Sequence, residues 1–238
     1  MNVDTLIKQS EPFLSYIVDW LDGLSSLSIS DIVSDGPDNV AVISVDIING
    51  FCYEGPLASP RVASLVEPIV DVFNLSYEAG IRNLILTQDA HDPNSVEFEH
   101  YPPHCVRGTS ESETVDAFKA LPYFDLFQVM PKQSLHSGLG TDLNQWVVDH
   151  PDVDTFITLG DCTDLCTYQL AMHLKLSAIA ANKKVRVILP VDCVDTYDLP
   201  VSVAQEIGAI PHDGDLLHQI FLYSMMLNGV EVISQISK

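Results

Sequence analysis

Asp89 and His91 stand two apart in the stretch LILTQDAHD. In extended chain, residues i and i+2 project to the same side, so this carboxylate and imidazole share a face. Such a pair is an ordinary ligand set for zinc, iron or manganese. Thirteen residues on, His104 follows the paired prolines Pro102 and Pro103, which stiffen the loop that presents its ring. D-x-H alone is a common surface pairing, whereas D-x-H joined to a later Pro-Pro-His is far more specific. Ser95, Glu97, Glu99 and His100 lie between the two histidines. Three further groups follow apolar runs. Asp46 ends AVISVD, Lys132 ends VMPK, and Cys166 lies just beyond TFITLG. A carboxylate directly after a buried run is costly unless it caps a turn, is paired or is functional. A lysine such as Lys132, taken alone, is a solvated surface residue. A cysteine in the first turn of a helix meets free N–H groups and a partial positive charge, which stabilise a thiolate or the oxyanion of a tetrahedral intermediate. The alternative for Cys166 is a small buried apolar residue.

The elements that must hold these groups are legible as a rhythm. Short apolar runs rich in Val and Ile cover 40–45, 83–87, 126–130, 155–159, 185–190 and 230–233. They are nearly continuous in hydrophobicity, as strands buried on both faces are. Segments with helical spacing lie between them at 62–79, 112–120, 142–148, 164–181 and 215–227. The pattern predicts an α/β fold, a doubly wound, mostly parallel six-stranded sheet with helices on both faces. Ligands of such folds bind outside the carboxyl ends of the strands, where Asp46, Asp89, His91, Lys132 and Cys166 all fall. Residues 3–22 form a separate amphipathic helix, and SDGPDN at 34–39 is a turn cluster.

Composition narrows the partners. The 238 residues form one large domain, since no linker-like stretch divides them. With 47% apolar and 18% charged residues the chain is no disordered tail. Eleven Lys and Arg against 33 Asp and Glu give a net charge of −22, which argues against nucleic acid and anionic membrane. No apolar run approaches the ~20 residues of a membrane span. The start, Met1 to Asp22, lacks the marks of a signal peptide, and the five cysteines are odd in number. Both features lead to the expectation of reduced thiols in a cytoplasmic protein.

DIINGF, TQDAH, PPHCVRGT, MPK and GDCTDLC, in this order and spacing, resemble the isochorismatase-like cysteine hydrolases. Among these the sequence is most similar to the nicotinamidases of plant type, over roughly residues 40 to 235. The resemblance implies a catalytic domain at 40–238 behind a helical extension at 1–39. It implies a catalytic set of Asp46, Lys132 and Cys166, and metal ligands Asp89, His91 and His104. The further histidine that many members supply is missing here, and Glu97 is preferred in its place, ahead of Glu99 and His100. Phe51 and Tyr101 match the aromatic residues that flank the pyridine ring. A cis peptide is expected at Asp161–Cys162, with the N–H groups of Cys162 and Cys166 forming the oxyanion hole. The implied activity is hydrolysis of nicotinamide to nicotinate and ammonia through a thioester, part of NAD salvage. The implied cofactor is a divalent metal, zinc before iron or manganese, which orients the ring through its nitrogen. A homo-oligomer with a small-molecule substrate is expected. The alternatives are a metal-independent carbamoyl or ureido amidohydrolase and a non-catalytic scaffold on the same fold. Cys52, Cys105 and Cys193 read as structural, His173 as a helical surface or packing residue. His136, His150, His212 and His218 show no partner spacing.

Overall fold

The computed structural model describes residues 2–238. The described residues form nine strands: β1 (Leu27–Ser28), β2 (Val40–Val45), β3 (Asn83–Asp89), β4 (Phe127–Lys132), β5 (Thr155–Asp161), β6 (Arg186–Pro190), β7 (Val194–Asp195), β8 (Glu231–Ile233) and β9 (Ile236–Ser237). The main sheet runs β4-β3-β2-β5-β6-β8, and the two-residue β7 adds a seventh strand beside the end of β5. Every pairing is parallel. The six strands on that path are those expected from the apolar runs. β7 escapes sequence reading because two residues carry no pattern.

The principal helices are α1 (Val3–Asp22), α2 (Val66–Glu78), α3 (Leu143–Asp149), α4 (Cys166–Ala180), α5 (Val201–Ile207) and α6 (Gly214–Leu227). The helix read at 62–79 divides into a short turn, Pro60–Ala63, and α2. The one read at 112–120 shrinks to Asp116–Lys119. Alternate residues of β2 serve opposite faces. Val40 and Val42 join a core with Val66, Ile69 and Phe73 of α2. Ala41, Ile43 and Val45 join a second core with Leu170 and Leu174 of α4 and Leu222 of α6. This two-sided burial explains why β2 reads as an unbroken apolar run. α1 docks on α6, where Tyr223 receives the rings of Phe13, Tyr16 and Trp20 edge-on. β1 pairs with β9, which ties the segment after α1 to the last strand.

The order places β2 at the centre, with β3 and β4 on one side and β5 and β6 on the other. The chain reverses its direction of winding between β2 and β5, and in such folds ligands bind outside the carboxyl ends of the strands at that switch. One glycine permits the close approach there. Gly160 has φ +115°, and a Cβ on it would run into the carbonyl oxygen of Val45 and sit 2.8 Å from the Val45 nitrogen. Gly160→Ala is therefore expected to destabilise the protein by at least ~3 kcal/mol, from backbone strain together with overpacking. Urea unfolding measures this; a midpoint equal to wild type would contradict the close packing of β5 on β2.

Candidate active site

Asp46 leaves the end of β2 with φ +57°, a left-handed conformation that Asp tolerates better than most residues. That turn aims its carboxylate back across the strand ends. Oδ1 accepts a hydrogen bond from the Asp89 N–H at 2.9 Å, and Oδ2 lies 2.7 Å from Lys132 Nζ. Lys132, the last residue of β4, is completely buried. Its ammonium also donates to Asp89 Oδ1 at 2.6 Å, to the Ser134 carbonyl at 3.2 Å and to Cys166 Sγ at 3.7 Å. The Cys166 thiol also acts on Asp46, drawing its carboxyl pKa down. Acid, amine and thiol from three strand ends thus meet at one point.

Their protonation follows from burial and from each other. Burial and the charge of Asp89 push Asp46 up to about 7, against the pull of Lys132. Lys132 is held well above its usual range because two carboxylates outweigh its burial. Lys132 draws the Cys166 thiol down. Burial is the larger effect, however, and Asp46, Asp89 and Asp161 add to it, so the thiol is pushed up. In the free protein Cys166 therefore holds its proton, with Asp46 placed to receive it.

The second cluster begins at Asp89. Single ligand atoms of Asp89, His91, Glu97 and His104 all lie within 4.8 Å of one another. Asp89 ends β3 and His91 lies two residues beyond it, bridged to Val106, and both side chains are buried. Asp89 Oδ2 is 3.4 Å from His91 Nε2, and Glu97 Oε1 is 3.9 Å from that nitrogen. Ser95 caps the short turn Val96–Glu99 by accepting from the Glu97 N–H, which orients Glu97 inward. Glu99 and His100 are exposed on the same loop. His104 Nδ1 lies 2.8 Å from the Pro102 carbonyl. A carbonyl only accepts, so Nδ1 carries the proton and Nε2 keeps a lone pair for a ligand. Burial also lowers the His104 pKa, which favours that neutral ring.

Two observations fit this set to a divalent cation. Both ring nitrogens of His91 and Oε1 of Glu97 are buried without a hydrogen-bond partner, a costly arrangement in the absence of a ligand. The charges also lean negative, because Asp46 and Asp89 both contact the single ammonium of Lys132 and Glu97 adds a third carboxyl group beside His91. A divalent ion would offset that excess.

Phe51 and Tyr101 flank His104, with ring centroids at 5.7 and 6.1 Å. Sequence reasoning missed Phe98, which meets both His91 and His104 edge-on at 5.6 and 5.7 Å. Its place next to Glu97 was the available signal. The Asp161–Cys162 peptide bond is cis. Cys162 is buried, and the Asp161 carboxyl beside it is pushed well above its usual range by burial. Neither Thr163 nor Asp164 caps α4; Leu165 holds that position without a side-chain bond. Thr163 instead meets His218, and Asp164 meets Thr196 and His212. His212 and His218 therefore do have partners, reached only through the fold. Cys52, Cys105 and Cys193 are buried and unbridged.

Residues 40–235 match the model of the isochorismatase domain. The chain is 30% identical over 214 residues to nicotinamidase 1 of Arabidopsis thaliana, covering 84% of this chain and 87% of that one. It is 27% identical over 179 residues to the nicotinamidase/pyrazinamidase of Mycobacterium tuberculosis, covering 70% and 92%. Its fold superposes with a TM-score of 0.63 on the pyrazinamidase of Pyrococcus horikoshii in complex with zinc, at 20% identity and with 82% and 98% covered. The chain belongs to the isochorismatase family. Its activity class is that of an amidohydrolase, and nicotinamidases stand among its relatives. No helix among the described residues is long and apolar enough to cross a membrane.

The buried ammonium yields a stability prediction. Lys132→Met leaves Asp46 and Asp89 facing each other without a cation, at an expected cost of ~3–5 kcal/mol. Denaturant unfolding at neutral pH reads the loss; a change below ~1 kcal/mol would show that the carboxylates find other partners.

Proposed function

We propose that this protein hydrolyses nicotinamide to nicotinate and ammonia, with Cys166 as nucleophile, and that residues 40–238 form the catalytic unit. The observation that carries the reading is the shared carboxylate of Asp89. One oxygen of Asp89 holds Lys132, 3.7 Å from the Cys166 sulfur, and the other faces the His91 ring. A nucleophile and a cation-binding cluster are thereby locked at a fixed separation. A ligand with an amide at one end and a basic ring nitrogen at the other would engage both.

The chemistry runs through the chain's own residues. Asp46 takes the thiol proton as sulfur attacks the carbonyl carbon. The carbonyl π electrons pass to oxygen, which the N–H groups of Cys162 and Cys166 hold. Cys166 opens α4, so its N–H has no partner within the helix. The C–N bond breaks as Asp46 returns the proton to nitrogen, and ammonia leaves. Water then attacks the thioester while Asp46 accepts its proton. The C–S bond breaks, sulfur is reprotonated and nicotinate departs. Lys132 stays charged throughout and stabilises the thiolate. Phe51 and Tyr101 bound the ring. Asp89, His91, Glu97 and His104 would hold a divalent ion, zinc before iron or manganese, as the zinc complex of the Pyrococcus relative supports; the ion supplies a Lewis acid for the ring nitrogen. In a cytoplasmic homo-oligomer the reaction would return nicotinate to pyridine nucleotide synthesis.

Ammonia release from nicotinamide tests the reading. Cys166→Ala is expected to lose at least ~10³-fold in turnover while still binding nicotinamide by calorimetry. Dialysis against a chelator is expected to lower wild-type turnover ~10-fold or more, with recovery on adding zinc. Turnover retained by Cys166→Ala would remove it as nucleophile. Activity on N-carbamoyl substrates that ignores the chelator would instead favour the metal-independent alternative.

A further inference from the structure

The turn between β5 and α4, residues 161–166, carries both candidate oxyanion donors; the Leu165 and Thr167 N–H groups donate to its Cys162 carbonyl at 3.1 and 3.0 Å, and the rest of it is held from further along the chain. Its polar groups are tied to a stretch of chain thirty to fifty-five residues further on. The Thr163 N–H donates to the Asp195 carbonyl at 3.0 Å. Thr163 Oγ1 lies 2.8 Å from His218 Nδ1. Asp164 has both oxygens engaged: Oδ1 accepts from Thr196 Oγ1 at 2.6 Å, and Oδ2 lies 2.8 Å from His212 Nε2. His212 Nδ1 is 2.8 Å from the Tyr197 carbonyl. A carbonyl and a carboxylate are both acceptors, so both ring nitrogens donate and His212 is an imidazolium. Its ring stacks on Tyr197 at 3.9 Å and 18°. Leu199 and His212 close the intervening segment, with backbone N–H to carbonyl bonds of 2.8 and 2.9 Å in each direction.

Asp164 stands midway between Cys162 and Cys166. Whatever fixes its carboxylate fixes the directions of the N–H groups on either side. Of its partners, His212 alone brings a charge, and the pair is shielded from water, with side chains 5% and 9% exposed. A buried charge-assisted bond of this kind is strong and directional. Burial alone would lower the His212 pKa and raise that of Asp164. The pair instead shifts both the other way, which keeps each partner charged.

We propose that His212 is a positioning residue for hydrolysis: through its Nε2–H bond to Asp164 it sets the turn at 162–166 so that the Cys162 and Cys166 N–H groups converge on one developing oxyanion. The inference rests on the assignment of Cys166 as nucleophile and extends it to a residue outside the cleft. A purely structural role would depend on the ring's shape and its stacking on Tyr197. A positioning role depends on the donor at Nε2. Two substitutions separate these. His212→Phe keeps the ring and its stacking but removes the donor. His212→Gln gives up the ring but keeps an N–H donor the same number of bonds from Cα.

Steady-state ammonia release from nicotinamide is measured for wild type and both variants, with circular dichroism at the assay temperature to verify folding. His212→Phe is expected to lose roughly ten- to a hundredfold in kcat with KM unchanged, the scale of a misplaced catalytic geometry. His212→Gln is expected to stay within about threefold of wild type. Affinity for pyridine-3-carbaldehyde gives a second readout that needs no leaving group. The sulfur adds to its carbonyl carbon as Asp46 takes the thiol proton, and the π electrons pass to an oxygen that must sit between the same two N–H groups. That affinity is expected to fall in His212→Phe by the same factor as kcat. A folded His212→Phe with wild-type kcat overturns the proposal, as does a loss confined to KM. Equal losses in both variants overturn it too, because shape rather than the donor would then be at work. A wild-type protein that neither releases ammonia nor binds the aldehyde, or a Cys166→Ala variant that turns over, would overturn the underlying assignment instead.

Discussion

A single ammonium group is buried where the ends of three strands meet. Lys132 is 1% exposed and contacts Asp46 at 2.7 Å and Asp89 at 2.6 Å. Taking an ammonium ion out of water costs several kcal/mol, and one carboxylate rarely restores it. Two carboxylates do so here, and their own mutual repulsion is relieved by the same ion. The contact is therefore a three-way constraint. Asp46 on β2, Asp89 on β3 and Lys132 on β4 must stay in register, or a charge is stranded in the interior. Parallel pairing supplies that register, because Asp89 lies directly opposite Lys132 in the ladder.

From this junction the site extends in two directions. Towards β5, Lys132 and Asp46 face the Cys166 thiol. Towards the loop after β3, Asp89 joins His91, Glu97 and His104. The two regions share a carboxylate, so they share electrostatics. Carboxyl groups outnumber the ammonium by two, and several donor atoms in the second region have no partner within the protein. A cation there would lower the potential felt by Asp46 and Cys166 as well as by its own ligands.

The doubly wound sheet explains why such distant residues share one cleft. Strands buried on both faces leave chemistry only for their ends, and in such folds ligands bind at the switch, here between β2 and β5. Gly160 lets β5 approach β2 closely at that point. The turn that follows is held from the opposite side of the chain's winding by Thr196, His212 and His218. The C-terminal third thus does more than complete the sheet.

The sequence by itself determined the strand order of events: which runs are buried, which residues end them, and which of those carry carboxylate, imidazole, amine or thiol. Burial on two faces leaves a continuous apolar signature, and a polar residue that interrupts it at a strand end stands out. Asp46, Asp89, His91, Lys132 and Cys166 were legible for that reason, and His104 for its paired prolines. Tertiary structure alone decided what lacks local periodicity. It turned Glu97 inward and Glu99 outward, set Phe98 against two imidazoles, and gave His212 and His218 partners forty-eight and fifty-five residues away. It also reversed the balance on the Cys166 thiol, because the desolvation that outweighs Lys132 depends on how deeply a group is covered. Depth and long-range pairing belong to the packed chain as a whole, and no spacing of residues along the sequence encodes them.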